Sequence, residues 1–256
     1  MTRTGFAKKK NGLPVVSKAD IENIAERMLA DFCPETLQVP QAIKIDSFAV
    51  KYLGMKQEYQ YLSHNGIYLG MTVFNDSDEV PIFDAAKGRA EFISVKAGTM
   101  LIDQGLLKKP LHRYRFTAAH EAGHGFFHSE YFAQKIGMAA ARSKEDKAFI
   151  QCRIENIQTP AVESDWTDND WLEWQANSFA SCLLMPRRAI FGLKGINNTK
   201  RDELWAAGII LAASKTFDVS LQAADIRLRD LGLISGFSKA DIDYGMSFYA
   251  NTGSVN

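Results

Sequence analysis

The chain has 256 residues, of which 46% are hydrophobic and 23% are charged, which is typical of a globular protein with one or two domains. Thirty basic residues balance thirty acidic residues, so the net charge gives no reason to expect a nucleic-acid or membrane partner. The three cysteines are isolated and no stretch reaches the roughly 20 apolar residues of a membrane span, so we expect a cytoplasmic protein without a disulfide framework.

The N-terminal region is predicted to be a basic arm followed by one helix. We expect residues 1–16 to be a flexible basic arm. They are not predicted to be a signal peptide, because no apolar run follows their positive charges. Apolar residues then recur at helical spacing from Ile21 to Phe32, which predicts a helix. Ser17 is its predicted N-cap, and Pro34 ends it.

Short apolar runs alternate with turn residues from Pro40 to about Gln104. The strand candidates are residues 67–69, 71–74, 92–95 and 100–102. This alternation of short apolar runs and turn residues predicts a small, mostly antiparallel sheet.

The chain is predicted to be helical after Pro110, with helices at residues 113–129, 169–185, 200–215 and 221–231. Ser220 is the N-cap of the last of these helices, and Gly232 closes it. A sheet followed by helices predicts an α+β fold.

The first of these helices carries a metal-binding pattern, because residues 120–124 are His-Glu-Ala-Gly-His. Helical residues four apart lie about 40° apart around the axis and about 6 Å along it, so both imidazoles reach one zinc ion. Glu121 is rotated by about 100° from His120, so it flanks the metal and can act as the catalytic base. A mid-helix glycine costs about 1 kcal/mol relative to alanine, so Gly123 indicates close packing, which small Ala176 would permit.

Catalytic zinc needs a third protein ligand, for which the sequence offers two candidates. His128 lies about 12 Å further along the helix than His120, too far to share the metal, so we expect a packed or surface histidine. Glu173 is the other candidate, with Asn177 supporting a ligand from the same helix face. From spacing alone, Glu173 is equally well explained as the acidic residue of a capping box near Asp170.

Two sequence blocks carry a family resemblance. Residues 115–124 are Arg-Phe-Thr-Ala-Ala-His-Glu-Ala-Gly-His, and residues 173–186 are Glu-Trp-Gln-Ala-Asn-Ser-Phe-Ala-Ser-Cys-Leu-Leu-Met-Pro. In content and order they resemble the two motif helices of the ImmA/IrrE family of metallopeptidases. The resemblance implies a zincin-like peptidase core. It also implies zinc at His120, His124 and Glu173, with catalysis by Glu121.

The resemblance also implies a domain organisation. We expect a zincin-like peptidase domain at 17–190 and a C-terminal helical subdomain at 191–256, after the arm at 1–16. The segment 129–168 is longer than expected for the family. We therefore predict an insertion there that serves as a lid, a partner surface or part of the substrate groove.

The resemblance implies a protein substrate, namely a repressor whose cleavage releases a stress or mobile-element response. We expect an extended substrate peptide to add to an edge strand near residues 99–104. Arg113, Tyr114 and Tyr131 are candidates for stabilising the oxyanion only because they are near the motif in sequence. The sequence does not fix the oligomeric state.

Two alternatives compete with a peptidase. Residues 200–231 could be a DNA-binding helix-turn-helix, but Asp225 and Asp230 offset Arg227 and Arg229, so we do not expect direct nucleic-acid binding. The second alternative is a non-proteolytic interaction protein, such as a toxin–antitoxin partner, that retains a zinc site. Glu121 argues against it, because a structural zinc site gains nothing from a carboxylate at the base position.

Overall fold

The computed structural model describes residues 6–139, 149–153 and 166–252. Its strands are β1 (Ala7–Lys8), β2 (Pro14–Val15), β3 (Lys56–Gln60), β4 (Tyr68–Val73), β5 (Ser77–Asp84), β6 (Arg89–Val95), β7 (Thr99–Asp103) and β8 (Phe149–Arg153). Its α-helices are α1 (Lys18–Phe32), α2 (Ile45–Ser47), α3 (Leu111–Phe127), α4 (Ser129–Ala139), α5 (Asp168–Leu184), α6 (Arg187–Phe191), α7 (Glu203–Phe217), α8 (Leu221–Asp230) and α9 (Lys239–Thr252). The fold is α+β, as predicted.

The chain forms two compact units. One comprises residues 1–21 and 44–180, and the other comprises residues 22–43 and 181–256. The units interleave along the chain, and the predicted boundaries of the peptidase domain, insertion and helical subdomain stay predictions. Among the described residues, the strands all lie in the first unit, and helices α6 to α9 lie in the second.

The main sheet has four strands in the order β3-β7-β4-β8. Strand β4 pairs antiparallel with β7 and β8, whereas β3 pairs parallel with β7, so the sheet is mostly antiparallel. Strand β7 has a neighbour on each side, so its backbone groups are already paired. The prediction that a substrate strand adds near residues 99–104 is therefore wrong. Within the described strands, the sheet edges are β3 and β8.

Strand β3 was not predicted, because its residues, Lys-Gln-Glu-Tyr-Gln, are mostly polar and show no apolar run. Such a strand is typical of a sheet edge, where both faces contact water. The two predicted strands at 67–69 and 71–74 form the single strand β4. Strand β8, from the predicted insertion, occupies the other edge, while residues 140–148 and 154–165 of that segment lie outside the described residues.

Apolar residues from strands β4, β5, β6 and β7 form a core cluster that includes Met71, Val73, Val80 and Leu101. Helix α3 packs against β4 and β7. This packing places the helix with the metal-binding pattern directly against the centre of the sheet.

The predicted arm is structured from Phe6 onward. Strands β1 and β2 form an antiparallel hairpin with Lys8 opposite Pro14. Leu13 is buried in a cluster with Phe74 and Tyr131, and this burial explains why residues 6–16 are not a flexible tail.

Side-chain caps fix the starts of several helices, as the sequence predicted for α1 and α8. The Ser220 hydroxyl accepts a hydrogen bond from the backbone N–H of Ala223, and Gly232 has the positive φ of +70° that ends α8. Reciprocal capping boxes begin three helices, formed by the pairs Ser17/Asp20, Thr167/Asp170 and Ser238/Asp241. The last of these begins α9, a helix that was not predicted from the sequence.

No single described helix combines the length and the apolar character needed to cross a membrane; only α7 and α8, bent by 113° at their junction, satisfy those criteria as a pair.

Candidate metal centre

Helix α3 holds His120, Glu121 and His124 in the interior, with at most 1% of each residue exposed. Close packing against α5 explains the glycine between them. A Cβ atom on Gly123 would lie 3.2 Å from the Cα atom of Ala176 and 3.3 Å from its carbonyl oxygen. This is the close approach that the glycine indicated, and it brings a second helix within reach of the histidines.

Helix α5 directs Glu173 towards the two histidines. Its Oε2 atom lies 3.3 Å from Nε2 of His120, and its Oε1 atom lies 3.5 Å from Nε2 of His124. The capping box of α5 consists of Thr167 and Asp170, whose side chains are 2.6 Å apart. Glu173 has no part in that box, so the capping explanation of this residue is excluded.

The separations of these atoms fit a tetrahedral metal site. Ligand atoms about 2.0–2.1 Å from a zinc ion lie about 3.3 Å from one another in tetrahedral geometry. The Nε2 atoms of His120 and His124 are 2.9 Å apart, close to this value, as are both distances to Glu173. Within the described ranges, this is the one group of three possible ligand residues whose ligand atoms all lie within 4.8 Å of one another.

The charge balance of the site also fits a cation. Neither carboxylate oxygen of Glu173 has a hydrogen-bond donor among the described residues, although both are buried. Burial alone would raise the pKa of Glu173, but His124 and His120 outweigh it and hold this pKa below its ordinary value. A buried, ionised carboxylate without donors is strongly destabilising unless a positive charge lies beside it.

Asn177 contacts the outer nitrogen of the first histidine. Its Oδ1 atom lies 2.8 Å from Nδ1 of His120. An amide oxygen accepts hydrogen bonds, so this contact favours the tautomer in which Nδ1 of His120 carries the proton. The Nε2 atom then presents a lone pair towards Glu173, as a metal ligand requires.

His128 does not join the three-residue group, but it is completely buried and contacts one of its members. Its Nδ1 atom lies 2.8 Å from Nδ1 of His124. Burial lowers the pKa of His128 well below its ordinary value. This contact was not predicted, although the four-residue spacing from His124 places both rings on one helix face.

Strand β4 shapes the surroundings of Glu121. The Thr72 hydroxyl donates to Oε2 of Glu121 at 2.6 Å. A Cβ atom on Gly70 would lie only 2.5 Å from Oε1 of Glu121, so the glycine leaves the space that this oxygen occupies. Burial raises the pKa of Glu121 to about 7, although His120 and the Thr72 hydrogen bond lower it.

The three residues considered for oxyanion stabilisation have different environments. Tyr114 is buried, and its hydroxyl donates to Asp46 and also contacts Tyr59. Tyr131 is buried in the apolar cluster under the N-terminal hairpin, whereas Arg113 is exposed. None of these positions supports a role at the metal centre.

An α+β core with a His-Glu-x-x-His helix and a glutamate from a second helix fits the site of a zincin-like metallopeptidase. Residues 107–229 match the family model of the IrrE N-terminal-like domain of peptidase family M78, so this part of the chain is similar to M78 metallopeptidases. This match confirms the resemblance to ImmA/IrrE peptidases, and it includes all three ligand candidates and Glu121. No curated protein matches the chain at a significant level.

Proposed function

We propose that this protein is a zinc-dependent endopeptidase in which His120, His124 and Glu173 hold the metal and Glu121 is the catalytic base. The observation that carries the proposal is the convergence of two imidazole nitrogens and a carboxylate, all buried, with no hydrogen-bond donor to the carboxylate among the described residues.

Zinc suits this donor set better than the hard cations do. Two imidazoles and one carboxylate are the ligands of many catalytic zinc sites, whereas magnesium and calcium prefer oxygen ligands. When bound, zinc supplies Lewis-acid chemistry that acidifies water and polarises a peptide carbonyl.

Glu121 is arranged to accept and return a proton. Because the Thr72 hydroxyl engages Oε2, the other oxygen, Oε1, is available to a water molecule at the site. A base with a pKa of about 7 accepts a proton near neutral pH and releases it readily to the leaving nitrogen of the cleaved peptide. A metal site with a purely structural role has no use for such a group.

The substrate that we propose is a transcriptional repressor in stress or mobile-element regulation, as the family resemblance implies. A repressor encoded beside this protein is the first candidate. A substrate strand that used the main sheet would add to β3 or β8, since these strands form its described edges.

Co-expression with the neighbouring repressor tests the proposal. We expect cleavage by the wild-type protein, none by Glu121→Gln, and none when a chelator removes the metal from purified wild-type protein. Stable binding of the repressor by both proteins, without cleavage by either, would instead support the non-proteolytic interaction protein.

The arginines of α8 give little support to a DNA-binding role. The Arg227 side chain is completely buried, and its Nη2 atom lies 2.5 Å from Oε1 of Glu22. Arg229 pairs with Asp225 at 3.0 Å and donates to the carbonyl of Phe237. Arg227 is therefore inaccessible and Arg229 already has partners within the protein, whereas phosphate binding needs exposed cations that are available. We therefore do not propose nucleic acid as a partner.

A further inference from the structure

A continuous series of buried hydrogen bonds connects the N-terminal hairpin to the metal centre. The amide Nε2 of Gln175 donates to the carbonyl oxygen of Pro14 at 2.8 Å. Its Oε1 lies 3.0 Å from Nε2 of His128, and Nδ1 of His128 lies 2.8 Å from Nδ1 of His124. Gln175, His128 and His124 are each at most 1% exposed, so bulk water does not compete for these bonds.

We propose that Gln175 and His128 are positioning residues that fix the tautomer of His124 and so prepare its Nε2 atom to bind the metal. This inference rests on the proposed ligand set, but it does not depend on proteolysis. A protein that binds zinc with the help of these residues and cleaves nothing would contradict the peptidase proposal alone.

The direction of every hydrogen bond in this series follows from the group at one end, the backbone carbonyl of Pro14. A backbone carbonyl can only accept, so the NH₂ group of Gln175 faces Pro14 and its oxygen faces His128. That oxygen requires a proton on Nε2 of His128. A neutral imidazole carries a single proton, so a His128 ring that donates from Nε2 accepts at Nδ1. His124 must then donate from Nδ1, which leaves Nε2 with its lone pair facing Glu173.

The same reasoning explains why a glutamine occurs at position 175. A hydrophobic side chain would leave the His128 N–H without an acceptor. A glutamate would place a carboxylate oxygen, which cannot donate, against the carbonyl oxygen of Pro14. Partners of this kind change metal affinity by about 10–100-fold in known metal sites, because they hold the ligand ring in its binding orientation.

The tautomers can be measured without metal or activity. In a long-range ¹H–¹⁵N spectrum of the metal-free wild-type protein, we expect the proton of His124 on Nδ1 and that of His128 on Nε2. A proton on Nδ1 of His128 would overturn the proposal, because His124 would then have to accept.

Zinc affinity, measured by competition with a chromophoric chelator, tests the functional consequence. We expect His128→Phe, which keeps a ring but removes the acceptor, to weaken binding by about 10–100-fold. His128→Asn, which retains an acceptor near the same place, should recover most of this loss. His112→Phe, the same change near the start of α3, is the matched control and should bind as tightly as wild type.

The coupling between the two residues separates this role from ordinary packing. We expect Gln175→Met to weaken zinc binding in the wild type but to have almost no further effect in His128→Phe, because its influence passes through that ring. Urea unfolding of the metal-free variants checks that each one folds. Wild-type affinity in His128→Phe, or an undiminished effect of Gln175→Met in that background, would contradict the proposal.

Discussion

The Thr72 hydroxyl lies 2.6 Å from Oε2 of Glu121 and so joins strand β4 to the proposed catalytic base. Gly70, two residues earlier, lies on the same face of the strand and leaves room for the other carboxylate oxygen. One strand face therefore both holds the Glu121 carboxylate and provides the space that it occupies.

Substitution of Gly70 should separate catalysis from metal binding. The methyl group of Gly70→Ala would lie 2.5 Å from Oε1 of Glu121 and 2.8 Å from Cγ2 of Thr117, so both side chains must move. The nearest atoms do not include His120, His124 or Glu173. We expect zinc content to stay near one per chain and the cleavage rate to fall at least about 100-fold, the usual contribution of a positioned base. Gly236→Ala, where a Cβ meets nothing within 4 Å, is the control and should keep full activity. Loss of zinc from Gly70→Ala would contradict the separation.

Ionisation of Glu121 should make the metal-free protein less stable as the pH rises. Its folded pKa of about 7 exceeds its ordinary value of 4.5, so the folded state binds more protons than the unfolded state between these pH values. The resulting stability is fully present below pH 4.5 and decreases by about 3 kcal/mol as the pH rises through 7.

Glutamine at this position cannot ionise, which provides the test. From urea unfolding of chelator-treated proteins, we expect the free energy of unfolding of Glu121→Gln, relative to wild type, to increase by about 3 kcal/mol between pH 4 and pH 8. A difference between the two proteins that is constant with pH would contradict a buried, raised pKa at Glu121.

Replacement of Glu173 should cause loss of the bound metal, whereas replacement of His128 should not. Glu173→Gln eliminates the one negative charge among the proposed ligands, so we expect zinc content after gel filtration to fall well below one per chain. His128→Ala keeps all three ligands, so zinc in excess should still bind near one per chain, although with lower affinity. Metal analysis showing the reverse order would overturn the choice of third ligand.

Removal of Glu22 should destabilise the second unit strongly. The buried Arg227 guanidinium contacts this carboxylate at 2.5 Å and the carbonyl of Met185 at 3.0 Å. Glu22→Gln leaves the guanidinium without its counter-charge, so we expect a loss of about 3–5 kcal/mol in the free energy of unfolding.

The partly exposed pair of Arg229 and Asp225 provides the comparison. Asp225→Asn should change the free energy of unfolding by less than about 1 kcal/mol, as is usual for such pairs. Equal effects of the two substitutions in urea unfolding would show that burial of Arg227 does not make its partner essential.

The sequence by itself determined the features that depend on neighbours along one helix. His120 and His124 share a helix face because they are four residues apart, and the spacing also placed Glu121 beside them. Helix starts were predictable at Ser17 and Ser220, because a cap is a contact within one turn.

Only the tertiary structure decided what depends on residues far apart in the chain. Spacing left Glu173 undecided between a cap and a metal ligand until α5 was packed against α3. No local sequence pattern indicated that β3 pairs parallel with β7. The same is true of the hydrogen bond between Pro14 and Gln175, which are 161 positions apart.

The sequence offered His128 as a possible metal ligand and Arg227 as a possible DNA contact. It did not show that each is buried, His128 against His124 and Arg227 against Glu22. Periodicity and capping report interactions within a few residues, whereas burial and hydrogen-bond partners depend on how separate elements meet.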